Sequence, residues 1–324
     1  MSSRGWILFG AVSILWGIPY ALIKIALEGG VPPALLALAR TSIGALVLLA
    51  LAQHAGVLGS VRRRLRWLTV YALAEIAVPF PLLAVGERKV SSSFAAILIA
   101  TAPLLVAVLA LRLDADERVS GRRLAGLAGG LLGVVALVGT GIGGNSNLLL
   151  GTATVLLVAL CYAFAPMVLK RHLSDLDPRA TSGVSLAIAS LLLSPAAAFD
   201  RPSAAPSAHA LAALIGLGLF CTAAALALYG ALVSEVGPGR ALVVTYLNPV
   251  VALALAVGIL GERPGGGAVA GLALILCGAW FATDGRLPRL ARLSTQSRPM
   301  RMLHRGALSE SGRAMSVPYA VRGT

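Results

Sequence analysis

Charge is scarce in this chain. Asp, Glu, Lys and Arg make up 12% of its 324 residues, where a soluble domain carries about 25%. A water-soluble globule of this length would lack the polar residues to cover its surface. Cysteine is nearly absent, and Cys161, Cys221 and Cys277 all lie inside apolar runs. That excludes a disulfide framework and leaves no metal-ligand spacing. The four histidines, His54, His172, His209 and His304, are scattered. No HExxH pattern occurs, no Ser/His pair falls at matched depth in the apolar runs, and no GxxxxGKS/T loop is present. An intramembrane enzyme and an ATP-driven pump would need such chemistry. No cofactor and no metal are expected. Strict apolar/polar alternation is also missing, which argues against a membrane β-barrel.

What fills the chain instead is apolar: 58% of residues are hydrophobic and the mean hydropathy is +0.87. A membrane-crossing helix needs about 20 mostly apolar residues. Ten runs qualify, near 6–26, 33–52, 67–86, 91–112, 120–140, 148–169, 180–199, 209–233, 238–260 and 265–283. Several are rich in Gly and Pro, which transmembrane helices tolerate. The first run is too long for a signal-peptide core, contains Pro19 and Lys24, and is followed by no small-residue cleavage site, so it reads as an uncleaved span. The expected fold is an all-α polytopic membrane protein in the lipid bilayer.

The 27 Lys and Arg outnumber the 13 acids, for a formal net charge of +14. With the N-terminus in the cytoplasm, 21 of the 27 fall on the cytoplasmic side and four on the other. The positive-inside rule therefore places both termini in the cytoplasm, and the basic excess records topology rather than nucleic-acid binding.

The chain also repeats itself. Trp16 and Tyr162, Lys24 and Lys170, Val90 and Val236, and Ala102-Pro103 and Asn248-Pro249 are each 146 residues apart. Glu117-Arg118 and Glu262-Arg263, Gly126 and Gly271, and Gly133 and Gly278 are 145 apart. Each half holds five spans. Because five is odd, the halves enter the membrane in opposite directions, which makes two inverted five-helix repeats over 1–142 and 143–285, with a basic tail, 286–324, in the cytoplasm. Inverted repeats are typical of secondary transporters, since two similar halves supply two states open to opposite sides. A non-transporting or channel-like membrane protein shares the composition and leaves the repeat unexplained.

Several stretches carry a family resemblance. They are Leu15-Trp16-Gly17-Ile18-Pro19-Tyr20-Ala21-Leu22-Ile23-Lys24, then Arg40-Thr41-Ser42-Ile43-Gly44-Ala45, then Ser91-Ser92-Ser93-Phe94-Ala95-Ala96 leading to Ala102-Pro103. Glu117-Arg118 ahead of Gly126 closes the first repeat, and Asn248-Pro249 with Glu262-Arg263 and Gly271 closes the second. In this order they resemble the drug/metabolite transporter superfamily, EamA type, over about residues 6–284. The second copy departs at its start, where Tyr162-Ala163-Phe164-Ala165-Pro166 replaces the Trp-Gly pattern. The resemblance implies a ten-helix transporter of the bacterial inner membrane. Its cavity would be lined by helices 1, 3 and 4 and by helices 6, 8 and 9. It would export small metabolites, amino acids or drugs, often with proton coupling.

Candidate residues follow from polarity at depth. A charge inside a span costs about 2.5–3.5 kcal/mol on insertion scales. Arg40 in the second run and Glu75 in the third qualify. Their depths differ by about 6 Å at 1.5 Å per residue, so an Arg40–Glu75 contact is expected, with Glu75 either paired structurally or accepting a proton or cation. Pro103 and Pro249 remove a backbone bond at equivalent places. Thr101 and Asn248 add polar side chains beside them, and Trp16, Tyr20, Tyr162 and Tyr246 would form the cavity wall. Lys24 reads as a snorkelling residue, and Glu262 as a charge ahead of its own following helix. The glycines of the fifth and tenth runs imply close packing, either within the chain or across a homodimer.

Overall fold

Helix forms wherever the sequence carries a long apolar run, and the described residues contain no strand. The structure, a computed structural model, describes residues 2–113, 121–139, 146–237, 241 and 244–282. Glu117-Arg118, Arg240 and the tail from 286 lie outside the described residues. Met1–Arg289 is one compact unit, and a second, Leu290–Thr324, falls wholly outside the described residues.

In chain order the helices are α1 (Ser3–Glu28), α2 (Pro33–His54), α3 (Leu58–Glu87), α4 (Ser92–Ile99, resumed as Ala102–Leu113), α5 (Gly121–Gly139), α6 (Ser146–Leu173), α7 (Pro178–Phe199), α8 (Ala208–Val236), α9 (Val244–Gly258) and α10 (Gly266–Ala282). Six of them, α1, α2, α3, α6, α7 and α8, are long and apolar enough to cross a membrane. The other four fall short of that standard, with α4 divided at residues 100–101 and α9 and α10 only 15 and 17 residues long. Large apolar side chains cover the outside. Leu46 is 72% exposed, Leu191 74% and Phe199 90%, a surface that water would punish and lipid accepts.

Prolines and hydroxyls break the helices at particular places. Pro19 interrupts α1 after Gly17, where an added Cβ would sit 2.5 Å from Val251 Cγ1 of α9. In α3 the turn Leu73–Ala77 widens to a π turn, and the Val78 amide bonds the Leu73 carbonyl at 3.2 Å. The cause is Pro79, which has no N–H to give the Glu75 carbonyl and whose ring would crowd it. Pro166 likewise removes the amide that Tyr162 would use, and a π turn, Leu169–Leu173, follows. The π turn of α8, Leu219–Ala224, holds a hydroxyl instead: Thr222 Oγ1 donates to the Leu217 carbonyl at 2.8 Å. Pro103 opens the second piece of α4, after Thr101 has accepted the Leu104 amide at 2.9 Å. Pro249 is carried inside α9 without a break.

Packing pairs the two halves. α2 lies along α7, and α5 along α10. α1 packs on α8 and α9, α4 and the second part of α3 pack on α6, and α4 meets α9. The glycine face of α5 is used within the chain, since Gly126, Gly130 and Gly133 meet Gly271 and Gly278 of α10.

α7 shows how a helix starts at a span boundary. Asp177 Oδ1 accepts the Arg179 amide at 2.8 Å, and the Arg179 guanidinium grips the same carboxylate through Nε at 3.0 Å and Nη2 at 2.8 Å. These side-chain hydrogen bonds from Arg179 hold the Asp177 carboxyl below its usual range. Asp177→Ala is expected to cost about 1 kcal/mol of stability, the worth of a helix cap. A depressed folded-state value means the contribution is present above about pH 4, the unfolded value, and is lost as pH falls through the lower folded value. Thermal unfolding of both proteins in detergent at neutral and strongly acid pH checks this, with the difference expected only at neutral pH.

Candidate functional site

Glu75 sits in the π turn of α3, near the middle of the bundle, and is only half buried. Tyr71, Tyr162, Tyr229 and the Cys161 thiol lie within electrostatic reach of its carboxylate. Trp16 closes the group from α1, its ring 4.8 Å from that of Tyr229 and tilted by 43°. These side chains come from α1, α3, α6 and α8, and each is partly exposed. Among the described residues no hydrogen bond or ion pair engages the Glu75 carboxylate.

The expected Arg40–Glu75 contact does not form. Arg40 Nε donates to Thr222 Oγ1 at 2.8 Å, and its guanidinium lies 4.0 Å over the Phe80 ring. Position along the span does not fix a contact, because a helix also has a rotation. Arg40 points from α2 toward α8, where the π turn brings Thr222 inward, and Phe80 covers the remaining face. Arg40 is buried, with Tyr20, Tyr162, Glu87 and Cys221 in electrostatic range. Tyr162 thus neighbours both Arg40 and Glu75.

The remaining candidates take separate places. Tyr20, Tyr162 and Tyr246 belong to one apolar cluster with Ile23, Leu98 and Leu217. Tyr246 stacks edge-on against Trp280 at 6.3 Å. Thr101 is buried and donates to the Leu98 carbonyl at 2.7 Å, so its hydroxyl serves the break in α4. Among the described residues Asn248 Oδ1 is buried without a hydrogen-bond partner, beside the buried Pro249.

Two residues correct their sequence readings. Lys24 is tied down rather than snorkelling freely, because its Nζ donates to the Glu87 carbonyl at 3.1 Å and lies 3.9 Å from Glu28. Glu262 does not serve α10. It reaches the N-terminus of α4, 170 residues earlier in the chain. The reason is Gly261, whose φ of 66° reverses the chain after α9 and turns Glu262 back toward the first half.

Sequence reasoning missed Glu87. It is fully buried, its Oε2 accepts from Ser92 Oγ at 3.2 Å, and its Oε1 has no hydrogen-bond partner among the described residues. The signal was an acid at the very end of an apolar run, masked by the adjoining Arg88-Lys89. Those two line an open cleft of about 520 Å³ with Val85 and Asn147, where Lys89 Nζ donates to Asn147 Oδ1 at 3.0 Å. Among the described residues no three His, Cys, Asp or Glu are grouped to hold a metal ion.

The sequence profile of the EamA-like transporter family matches residues 3–139 and again 149–283. The chain is 31% identical to the uncharacterized inner membrane transporter YedA of Escherichia coli, over 79% of this chain and 83% of that one. It is 30% identical to a probable terminal-alkyne amino-acid exporter of Streptantibioticus cattleyicolor, over 92% and 99%. A probable amino-acid metabolite efflux pump of Escherichia coli is 24% identical over 88% and 96%. A solved crystal structure, 21% identical, superposes with a TM-score of 0.64 over 88% of this chain and 98% of its own, which speaks for the fold alone. With both halves matched by the profile and relatives at 30% identity spanning most of their length, the chain belongs to the EamA-like transporter family.

Proposed function

We propose that this membrane transporter is a secondary exporter of small amino-acid-like metabolites, working by alternating access and coupled to protons through Glu75. Its frame is ten spans in two inverted five-helix repeats, with both termini in the cytoplasm. The repeat is supported by the second profile match starting 146 residues after the first, at 149 and 3. The π turns of α3 and α8 also start 146 residues apart, at 73 and 219. Packing partners interchange in the same sense: α1 with α9 answers α6 with α4, while α2–α7 and α5–α10 map onto themselves. The substrate class is supported by the names of two relatives, an amino-acid exporter and an amino-acid metabolite efflux pump.

The observation that carries the reading is the unengaged Glu75 carboxylate. An ionised carboxylate at that depth is costly unless a cation meets it. A proton and a substrate ammonium are both suitable, and they exclude one another. Competition for one site turns uphill export into an exchange, because the carboxylate travels neutralised by one or the other. The faces of Trp16, Tyr162 and Tyr229 would hold the ammonium by cation–π attraction, worth about 0.5–2 kcal/mol each. Arg40, locked to Thr222 and Phe80, shapes the wall without competing for Glu75.

Purified protein in liposomes loaded with radiolabelled neutral amino acids tests the proposal. A proton gradient is expected to drive flux of at least one of them, and a flux indifferent to the gradient would overturn the coupling. Sensitivity of cells with and without the protein to a panel of amino-acid analogues then narrows the substrate.

A further inference from the structure

The N-terminus of α4 is held from three sides. Ser92 Oγ lies 3.1 Å from the Tyr20 carbonyl of α1 and 3.2 Å from Glu87 Oε2 of α3, both in its own half. The third side is the opposite half. Glu262 Oε1 accepts the Ser92 amide at 2.8 Å, and Oε2 accepts the Ser93 amide at 2.9 Å and the Ser93 hydroxyl at 2.5 Å. A carboxylate taking three donors at a helix N-terminus satisfies amides that have no partner within the helix and meets the positive end of its dipole. Glu262 itself stands on a short connection between α9 and α10, set by the positive φ of Gly261 and by its own amide bonding the Ala256 carbonyl at 3.0 Å. The end of α9 is therefore clasped to the start of α4, and both belong to helices that the resemblance places around the cavity. Ser92 and Ser93 are buried beneath this clasp, and so are Ala95 and Ala96 in the next turn.

A second bond of the same kind lies at the same end of the bundle, where Asp200 Oδ2 accepts the Ala34 amide of α2 at 3.0 Å. It joins the closely apposed α2 and α7, whereas the Glu262 clasp joins α4 to the turn after α9, a helix that itself packs on α4. Of the two, the clasp spans the helix pair with the smaller shared face, so its release leaves less packing to hold that pair together.

We infer that Glu262 is the latch of the outer gate, a positioning residue that holds the α9–α10 turn on α4 and must let go for the cavity to open outward. This rests on the alternating-access reading and on the orientation proposed above. Three charge-assisted bonds, part-buried at the half-buried Glu262, set the closed state; removing the carboxylate shifts the balance toward the open one by about tenfold.

The test reads opening directly. Cys161, Cys221 and Cys277 are replaced by Ser, and Ala95→Cys is introduced as a reporter one turn behind the latch. A membrane-impermeant maleimide, added to the outer face of spheroplasts, is expected to label the reporter about tenfold faster with Glu262→Ala, and by an intermediate factor with Glu262→Gln. Equal rates in all three backgrounds would overturn the latch, and acceleration only from the cytoplasmic face would overturn its assignment to the outer gate. As a second arm, Ser93→Cys with Glu262→Cys, joined by a short cleavable bifunctional thiol reagent, is expected to block both labelling and transport until reductant is added. Transport through the joined protein would refute the gate. Labelling requires no substrate, so latch-dependent labelling in a protein that moves no amino acid would uphold the latch while removing the transport reading.

Discussion

Glu75→Gln is expected to abolish gradient-driven flux in proteoliposomes, down to the level of protein-free vesicles, while leaving the fold intact. The side chain is nearly the same size, sits in a half-exposed position and has no hydrogen bond or ion pair to lose among the described residues. Thermal stability in detergent should therefore hold or rise slightly, since a carboxylate at this depth is costly and an amide is not. What disappears is the exchangeable charge. Gln cannot release a proton, so one arm of the exchange is removed and net uphill movement stops. Residual substrate–substrate exchange across the membrane is the diagnostic: it is expected to survive in weakened form, because Trp16, Tyr162 and Tyr229 remain. A Glu75→Gln protein that still concentrates substrate against its gradient would show that the coupling charge lies elsewhere. Glu87, the other acid of α3, is then the candidate, though its bond from Ser92 and its place beside the Glu262 latch suit a structural duty at the gate.

The largest stability loss is expected from Gly278→Val. A Cβ at this position would lie 2.4 Å from the Gly130 amide nitrogen, 2.5 Å from its Cα and 2.6 Å from the Gly126 carbonyl oxygen. All three are backbone atoms of α5, so no rotamer change relieves the clash. Helices α5 and α10 must move apart, and the dispersion contacts along their shared face are lost together. In a bilayer that contact is the main adhesive between helices, since lipid tails match apolar side chains and give little hydrophobic drive. Gly133 is caught in the same seam, with an added Cβ 2.8 Å from Leu274 Cβ and 3.1 Å from the Gly271 carbonyl. The cost is expected at or above about 3 kcal/mol, the upper end of overpacking, read as a lower melting temperature and as protein lost from the membrane fraction. Gly129→Ala is the matched control. An added Cβ there meets nothing within 4 Å, so this neighbouring glycine is expected to tolerate the change.

Much of this was legible in the residues. Apolar runs mark the helices because a bilayer demands continuous apolar surface and internally bonded backbone, and both demands act residue by residue along the chain; six of the helices they form are long and apolar enough to cross a membrane. Gly126, Gly133, Gly271 and Gly278 announced close packing, since only small residues let backbones approach that far, but that the two faces meet each other within the chain is shown only by the structure. The polarity of Glu75 at mid-span was equally plain, because an isolated charge among apolar neighbours needs no structure to be noticed.

Contacts across the two halves were not legible. Arg40 and Glu75 were expected at similar depth, yet the rotation of α2 and the π turn in α8 give Arg40 to Thr222 and Phe80. Glu262 precedes α10 in sequence, yet the turn at Gly261 sends it to α4. Glu87 looked like the rim of a span and is buried at the centre of a network with Ser92 and Lys24. The sequence by itself determined the class and the helical runs, since these follow from hydropathy along one dimension. Only the tertiary structure decided which polar group meets which, because that depends on helix rotation and on turns whose direction is set by a few dihedral angles.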